Sequence, residues 1–185
     1  ERKALEAQLS ERIDRLRAHA QPRRGRTLRP RSGWHAGGYP GMSRAAGVSV
    51  MLGRWDEVSA QAAPIRFRVF VDEQGVPVEM ELDEFDALSC HALAWVEGEP
   101  VGTGRLLPDG HIGRMAVLAG WRGRGVGAAL LEALMAEAGR LGMSRLALSA
   151  QSHALGFYTR FGFVPVGNEY DEAGLPHQAM VRACR

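Results

Sequence analysis

The order of elements in the sequence predicts a mixed α/β fold, a mostly antiparallel central sheet flanked by helices. Three observations carry that expectation. Segments 91–96, 101–107 and 112–118 are apolar and strand-like, and only short turns separate them, so they form a hairpin and a third strand with no helix between. Segment 126–141 places Ala128, Leu130, Leu131, Leu134, Met135, Ala138 and Leu141 on one broad apolar helix face. A glycine-rich loop over 120–125 joins the third strand to that helix.

The remaining elements follow in chain order. A short strand covers 48–52. A helix covers 55–74, with Ile65, Val69 and Phe70 on one face, and Gly75 to Pro77 end it. Residues 78–90 are acidic and irregular. Glu97-Gly98-Glu99 and Pro108-Asp109-Gly110 supply the two tight turns. Gly142 closes the long helix. A strand over 145–150, a short helix over 153–161, a strand over 163–166, a turn at 171–174 and a last strand over 177–183 complete the set.

The chain has 185 residues and is 45% hydrophobic, enough for one domain with an appendage. No run of about 18 apolar residues is present, so no membrane partner is expected. No apolar signal core follows the basic start, and a cytoplasmic location is expected. Cys90 and Cys184 have no metal-type spacing, and no metal is expected. The net charge of +2 hides an asymmetry. Residues 1–44 hold 11 Lys/Arg against 4 Asp/Glu, whereas the rest hold 12 against 17. Three parts follow: an amphipathic helical tail over 1–20 (Leu5, Leu9, Ile13, Leu16), a basic Pro/Gly/Arg-rich linker over 21–47, and a folded domain over 48–185. Met42 and Met51 are alternative starts. A solvated linker is the expected role of the basic stretch, and nucleic acid is not an expected partner.

The loop reads Trp121-Arg-Gly-Arg-Gly-Val-Gly-Ala-Ala129. Glycines at 123, 125 and 127 let the backbone turn tightly and keep side chains out of a ligand's way. The exposed N–H groups and the positive end of the following helix make an anion site suited to a diphosphate. A nucleoside-triphosphate loop needs Lys-Ser/Thr after its last glycine, and Ala128-Ala129 stands there. A dinucleotide site matches Gly123-x-Gly125-x-x-Ala128 but needs an acid after the next strand, which ends in Ala150-Gln151-Ser152 instead.

At this point the residues resemble the GNAT (GCN5-related) N-acetyltransferase superfamily. Its pyrophosphate signature, Gln/Arg-x-x-Gly-x-Gly/Ala, is matched by Arg122-Gly-Arg-Gly125-Val-Gly127. Met115-Ala116-Val117 looks like the family's splayed strand. The later run from Gln151 through Ala154 and Tyr158 to Gly162-Phe163 matches Asn-x-x-Ala-x-x-x-Tyr-x-x-x-Gly-Phe, with Gln151 in place of Asn. Val69-Phe-Val-Asp-Glu-Gln-Gly-Val-Pro77 and Asp171-Glu-Ala-Gly-Leu-Pro-His-Gln-Ala-Met180 resemble the bacterial ElaA/YjcF branch. The resemblance covers 48–183.

It implies an acyltransferase that moves an acetyl group from acetyl-CoA to an amine of a small molecule or protein. It also implies cofactor contacts from Met115, Ala116, Val117, Arg122, Gly123, Arg124, Gly125, Val126, Gly127, Ala128 and Gln151. A bulge in 112–118 would aim an N–H near Val117 at the thioester carbonyl, and Tyr158 would protonate the departing sulfur. The alternative is a CoA-binding sensor without turnover. The general base is open. Glu79, Glu81, Asp83, Glu84 and Asp86 form an acidic loop whose plain reading is a solvated surface. His91 is expected to be structural, His153 to begin the short helix, and His177 has no assigned role. A Cys90–His91 dyad is disfavoured, because neighbours on a strand face opposite ways. Trp121 is expected to anchor the loop. The acceptor and the oligomeric state stay open, a homodimer among the alternatives.

Overall fold

The computed structural model describes residues 47–184. The helix and linker expected before Gly47 lie outside the described residues. The first strand, β1 (Val48–Gly53), leads into α1 (Trp55–Arg66) and a wider π-helical run, Phe67–Glu73. Two short turns follow, α2 (Val78–Glu81) and a 3₁₀ turn (Asp86–Leu88). Then come β2 (Cys90–Val96), β3 (Glu99–Leu106), β4 (Ile112–Val117) and α3 (Val126–Arg140). The chain ends with β5 (Arg145–Gln151), α4 (Leu155–Thr159), β6 (Val164–Glu172) and β7 (Leu175–Ala183). Among the described residues no helix is long and apolar enough to cross a membrane.

The strands form two antiparallel sheets, β1-β2-β3-β4 and β5-β7-β6. They meet at one parallel bridge, His111 to Ala147, where the Ala147 N–H donates to the Gly110 carbonyl at 3.1 Å. Only glycine fits there, because a Cβ on Gly110 would lie 2.4 Å from the Arg145 carbonyl oxygen. Beyond this bridge no ladder joins β4 to β5 among the described residues, so their C-terminal ends, Val117 and Gln151, are left unpaired with each other.

Side-chain alternation decides which helix covers which face of the first sheet. Leu93 and Ala116 meet Val58, Ala62, Ile65 and Val69 of α1 and its extension. Ala92, Ala94 and Val96 turn the other way and meet Val126, Leu130, Leu131 and Leu134 of α3. Leu146, Leu148 and Ala150 of β5, Met180 and Phe163 join that second core, so the second sheet is apolar on the α3 side only. Small residues bring α3 close. A Cβ on Gly102 would lie 3.0 Å from Leu130 Cδ1 and Val126 Cγ1 and 3.1 Å from the Ala116 carbonyl.

Four expectations need correction. The helix over 55–74 is α-helical only to Arg66. Pro64 has no N–H for the ladder, and the chain widens into a π-helical run soon after. The strand over 163–166 is nine residues long. An irregularity between Val166 and Tyr170 interrupts it, and pairing resumes beyond. The short helix over 153–161 is a 3₁₀ turn (Ser152–Ala154) followed by α4.

The fourth correction concerns the acidic loop, in which Glu81, Asp83 and Asp86 are internal counter-ions, while Glu79 and Glu84 stand exposed on the surface. The fully buried Arg66 donates from Nε to Glu81 and from Nη1 to Asp86 Oδ1 at 2.6 Å. Arg105 donates to Asp83 at 2.6 and 2.8 Å and to Asp86 at 2.7 Å. Arg114 reaches Asp83 at 3.2 Å and the carbonyls of Met80 and Glu81. His91 donates from Nε2 to the Asp86 carbonyl at 2.9 Å. Burial alone raises the Asp86 carboxyl. Hydrogen bonds and charge from Arg66 and Arg105 outweigh that and hold it below its usual range. Burial pushes His91 below its usual value, so the ring is neutral.

Three outcomes follow. Gly102→Ala should destabilise by about 1–3 kcal/mol through overpacking, measured by urea denaturation, whereas an unstrained Gly→Ala change stabilises slightly. Asp86→Ala takes one of two carboxylate partners from each of Arg66 and Arg105, leaves a net buried positive charge and should cost about 3–5 kcal/mol. In the native protein both shifted groups make stability fall with acid. His91 resists a proton that the unfolded ring accepts below about pH 6.5, and Asp86 resists one that the unfolded carboxyl accepts below about pH 4. The urea midpoint should therefore drop in two stages, and a flat profile between about pH 7 and 3 would contradict the network's role.

Candidate active site

The end of β4, the glycine loop and the first turn of α3 are contiguous in the chain. Two amides at the start of the loop are used internally: Trp121 N–H donates to Leu118 at 2.9 Å and Arg122 N–H to Ala119 at 3.3 Å. Ala129 N–H then makes the first bond of α3, to the Gly125 carbonyl at 3.0 Å. The amides between them, from Gly123 to Ala128, have no backbone or side-chain acceptor among the described residues, and α3 has no side-chain cap. Gly123 and Gly125 sit at φ +73° and +82°, left-handed conformations that side-chain-bearing residues resist. The turn thus presents a row of free donors at the positive end of a 15-residue helix. Gly127 is less constrained, since a Cβ there would make ordinary contact with Phe157 at 3.6 Å.

The side chains flanking this turn brace it. Arg122 folds back, donating from Nε to the Val117 carbonyl at 2.9 Å and from Nη2 to Glu73 at 2.5 Å. Arg124 lies over the Trp121 ring at 5.1 Å, and Trp121 itself packs against the α3-side core. In β4, Met115 packs into the α3-side core and Ala116 is buried against α1. The side chains of these two positions are therefore taken up by the cores. The bulge expected in this strand falls at Arg114–Met115, upstream of Val117. Thr103 pairs with Ala116 and Arg105 with Gly113, leaving two β4 residues opposite Gly104. Arg114 takes φ +50° there and reaches the acidic loop.

Beyond β5, Gln151 donates from Nε2 to Gln74 at 2.9 Å, tying this strand end to the end of the π-helical run. Tyr158 on α4 packs edge-on against the buried Phe163, ring centres 6.2 Å apart. Its hydroxyl has no hydrogen-bond partner among the described residues. Burial pushes the phenol up to about 12, so it carries its proton at neutral pH.

The histidines and Cys90 separate by environment. Cys90 packs against the α3-side core, and burial, with the charge of Glu137, pushes its thiol up to about 12. It is no nucleophile near neutrality, and His91 is locked to Asp86 on the other face. His153 is exposed on the Ser152–Ala154 turn. His177 is nine-tenths buried on β7, with Nδ1 donating to the Leu175 carbonyl at 2.8 Å. Sequence reasoning left His177 without a role and did not foresee Gln74 at Gln151. Among the described residues, no three His, Cys, Asp or Glu side chains are placed to hold a metal.

Comparison with known proteins adds family to geometry. The acetyltransferase (GNAT) domain matches residues 56–184. YjcF of Bacillus subtilis (strain 168), described as an uncharacterized N-acetyltransferase, is 35% identical over 139 residues, 73% of this chain and 99% of YjcF. The crystal structure of an acyl-CoA N-acyltransferase from Pseudomonas aeruginosa superposes with a TM-score of 0.66 at 32% identity, covering 74% of this chain and 99% of that one. Escherichia coli ElaA gives 0.65 at 32% identity, over 73% and 99%. A free-amide turn after a parted strand, on a fold and sequence shared with these proteins, makes this chain a member of the GNAT acetyltransferase family and an acyltransferase.

Proposed function

We propose that the chain transfers an acetyl group from acetyl-CoA to a primary amine of a small molecule or protein, by direct attack in a ternary complex. The observation that carries this reading is the run of unpartnered amides from Gly123 to Ala128 at the N-terminus of α3. A diphosphate supplies the acceptors those donors lack, and the helix end favours its charge. Arg124 is exposed on the same turn and adds a cation. Arg122 serves differently: its guanidinium braces the turn through Val117 and Glu73. The unpaired edge of β4 from Met115 to Val117 offers main-chain groups to the pantetheine amides, and Gln151 marks the opposite lip.

Acetyl-CoA supplies the activated thioester. The chain's own residues supply position, electrostatics and protons. Tyr158 holds a proton on a hydroxyl with no internal partner among the described residues, as a donor to a departing thiolate requires. The acidic loop does not supply the base through Glu81, Asp83 or Asp86, because arginines hold all three.

Calorimetry with CoA tests the cradle. Gly125→Glu forces a side chain into a left-handed turn and sets a carboxylate among the donors. Affinity should fall by at least about tenfold, or 1.4 kcal/mol. Undiminished binding would contradict the assignment. Tyr158→Phe should leave CoA affinity unchanged and lower kcat by about 10²–10⁴-fold against a panel of primary amines. Because the phenol stays protonated up to about 12, it imposes no loss of rate with rising pH below about pH 10. CoA binding with no turnover of any amine would make the chain a sensor instead.

A further inference from the structure

We infer that His177 is the base that takes the proton from the attacking amine. This rests on the acetyl-transfer reading above and names the group it lacks. The first observation is tautomeric. A carbonyl oxygen only accepts, so the 2.8 Å contact with Leu175 fixes the proton on Nδ1 and leaves Nε2 with a lone pair. The second is accessibility. The ring is nine-tenths buried, yet Nε2 has no partner and is not sealed, the sealed unpartnered side-chain atom among the described residues being Arg105 Nε. An oriented imidazole with an open lone pair is what proton abstraction needs.

The third observation is position. His177 pairs with Gln151 across β5 and β7, so both project from the same face at the end of β5 that parts from β4. That face is polar: Ser149 and Tyr170 share it, and the Tyr170 ring stacks on His177 with centres 6.2 Å apart. The opposite face carries Leu146, Leu148, Ala150 and Met180 into the α3-side core, against which Tyr158 packs. Base and acid therefore belong to opposite sides of the second sheet, one for the incoming nitrogen and one for the outgoing sulfur. The other titratable groups at this end are Tyr170, Glu169, Asp171 and Glu172 on β6 and His153 on the turn packed against β7. Glu172 is bonded to Ser149 and Glu169 to Ser152.

The step balances. The amine nitrogen forms a bond to the thioester carbon while its proton passes to Nε2 of His177. The C–S bond breaks, and the thiolate takes the Tyr158 proton. The imidazolium then returns its proton to solvent, and the phenolate regains one.

His177→Asn separates this role from a structural one. Asparagine places a donor where Nδ1 stands, keeping the Leu175 carbonyl satisfied, but has no counterpart of the Nε2 lone pair. With the amine that wild type acetylates fastest in the panel, the variant should keep its melting temperature and CoA affinity. It should lose about 10²–10⁴-fold in kcat. In His177→Ala, added imidazole should restore part of the rate. A His177→Asn rate within threefold of wild type overturns the assignment. Nitrogen-15 NMR of the histidine rings tests the chemistry without any amine. Neutral His177 should show its proton on Nδ1 and a lone pair on Nε2, and a ring found with its proton on Nε2 overturns the proposal. Failure of acetyl transfer itself appears separately, as absent turnover in wild type.

Discussion

β4 and β5 are held side by side at one place, where Gly110 lets the chain approach the Arg145 carbonyl and accept the Ala147 amide. Past that point each strand keeps partners only within its own sheet. A strand edge without a neighbour leaves main-chain groups unmatched, and the loop that follows β4 adds more, because the first amides of a helix have no internal acceptors. The site is made of this shortage. Two left-handed glycines and a helix end collect the unmatched donors into one turn, next to the unpaired strand edge. On the proposed reading, an anionic, amide-bearing ligand would complete hydrogen bonding that the fold leaves open.

Holding the site open requires stiffness elsewhere. The core on the α3 side uses glycines and alanines in β2 and β3 so that the helix rests almost on the sheet. On the other side the buried arginine network pulls the 78–90 segment against α1, β3 and β4. Its charges are balanced, three arginines against Glu81, Asp83 and Asp86, with His91 neutral. Such a network adds little net energy over a greasy core, but it is unforgiving of the loss of one member, which fixes the loop in one place. Arg122 and Gln151 then stitch the ends of β4 and β5 to the π-helical run through Glu73 and Gln74.

Most of the architecture was legible in the sequence because it rests on local patterns. Strand spacing, the long apolar helix face and the glycine turn each announce themselves within a few residues, and the elements fall in the expected order. What stayed illegible depends on partners distant in sequence. Glu81, Asp83 and Asp86 look like a solvated run until Arg66, Arg105 and Arg114 are brought from three other elements. The Arg122 contacts with Val117 and Glu73 likewise join residues that the sequence holds apart. The bulge needs the β3 register to place it. His177 was the most instructive omission. Its neighbours in sequence say nothing, whereas the opposing Gln151 and the stacked Tyr170 give it a place.

The most direct measurement of the central idea, that the main chain from Gly123 to Ala128 grips a diphosphate, is amide NMR on the nitrogen-15-labelled protein during titration with CoA and, separately, with pantetheine, which lacks the phosphates. The account predicts large shifts of these amides with CoA and little change with pantetheine. Saturable CoA binding that leaves them unmoved would contradict it.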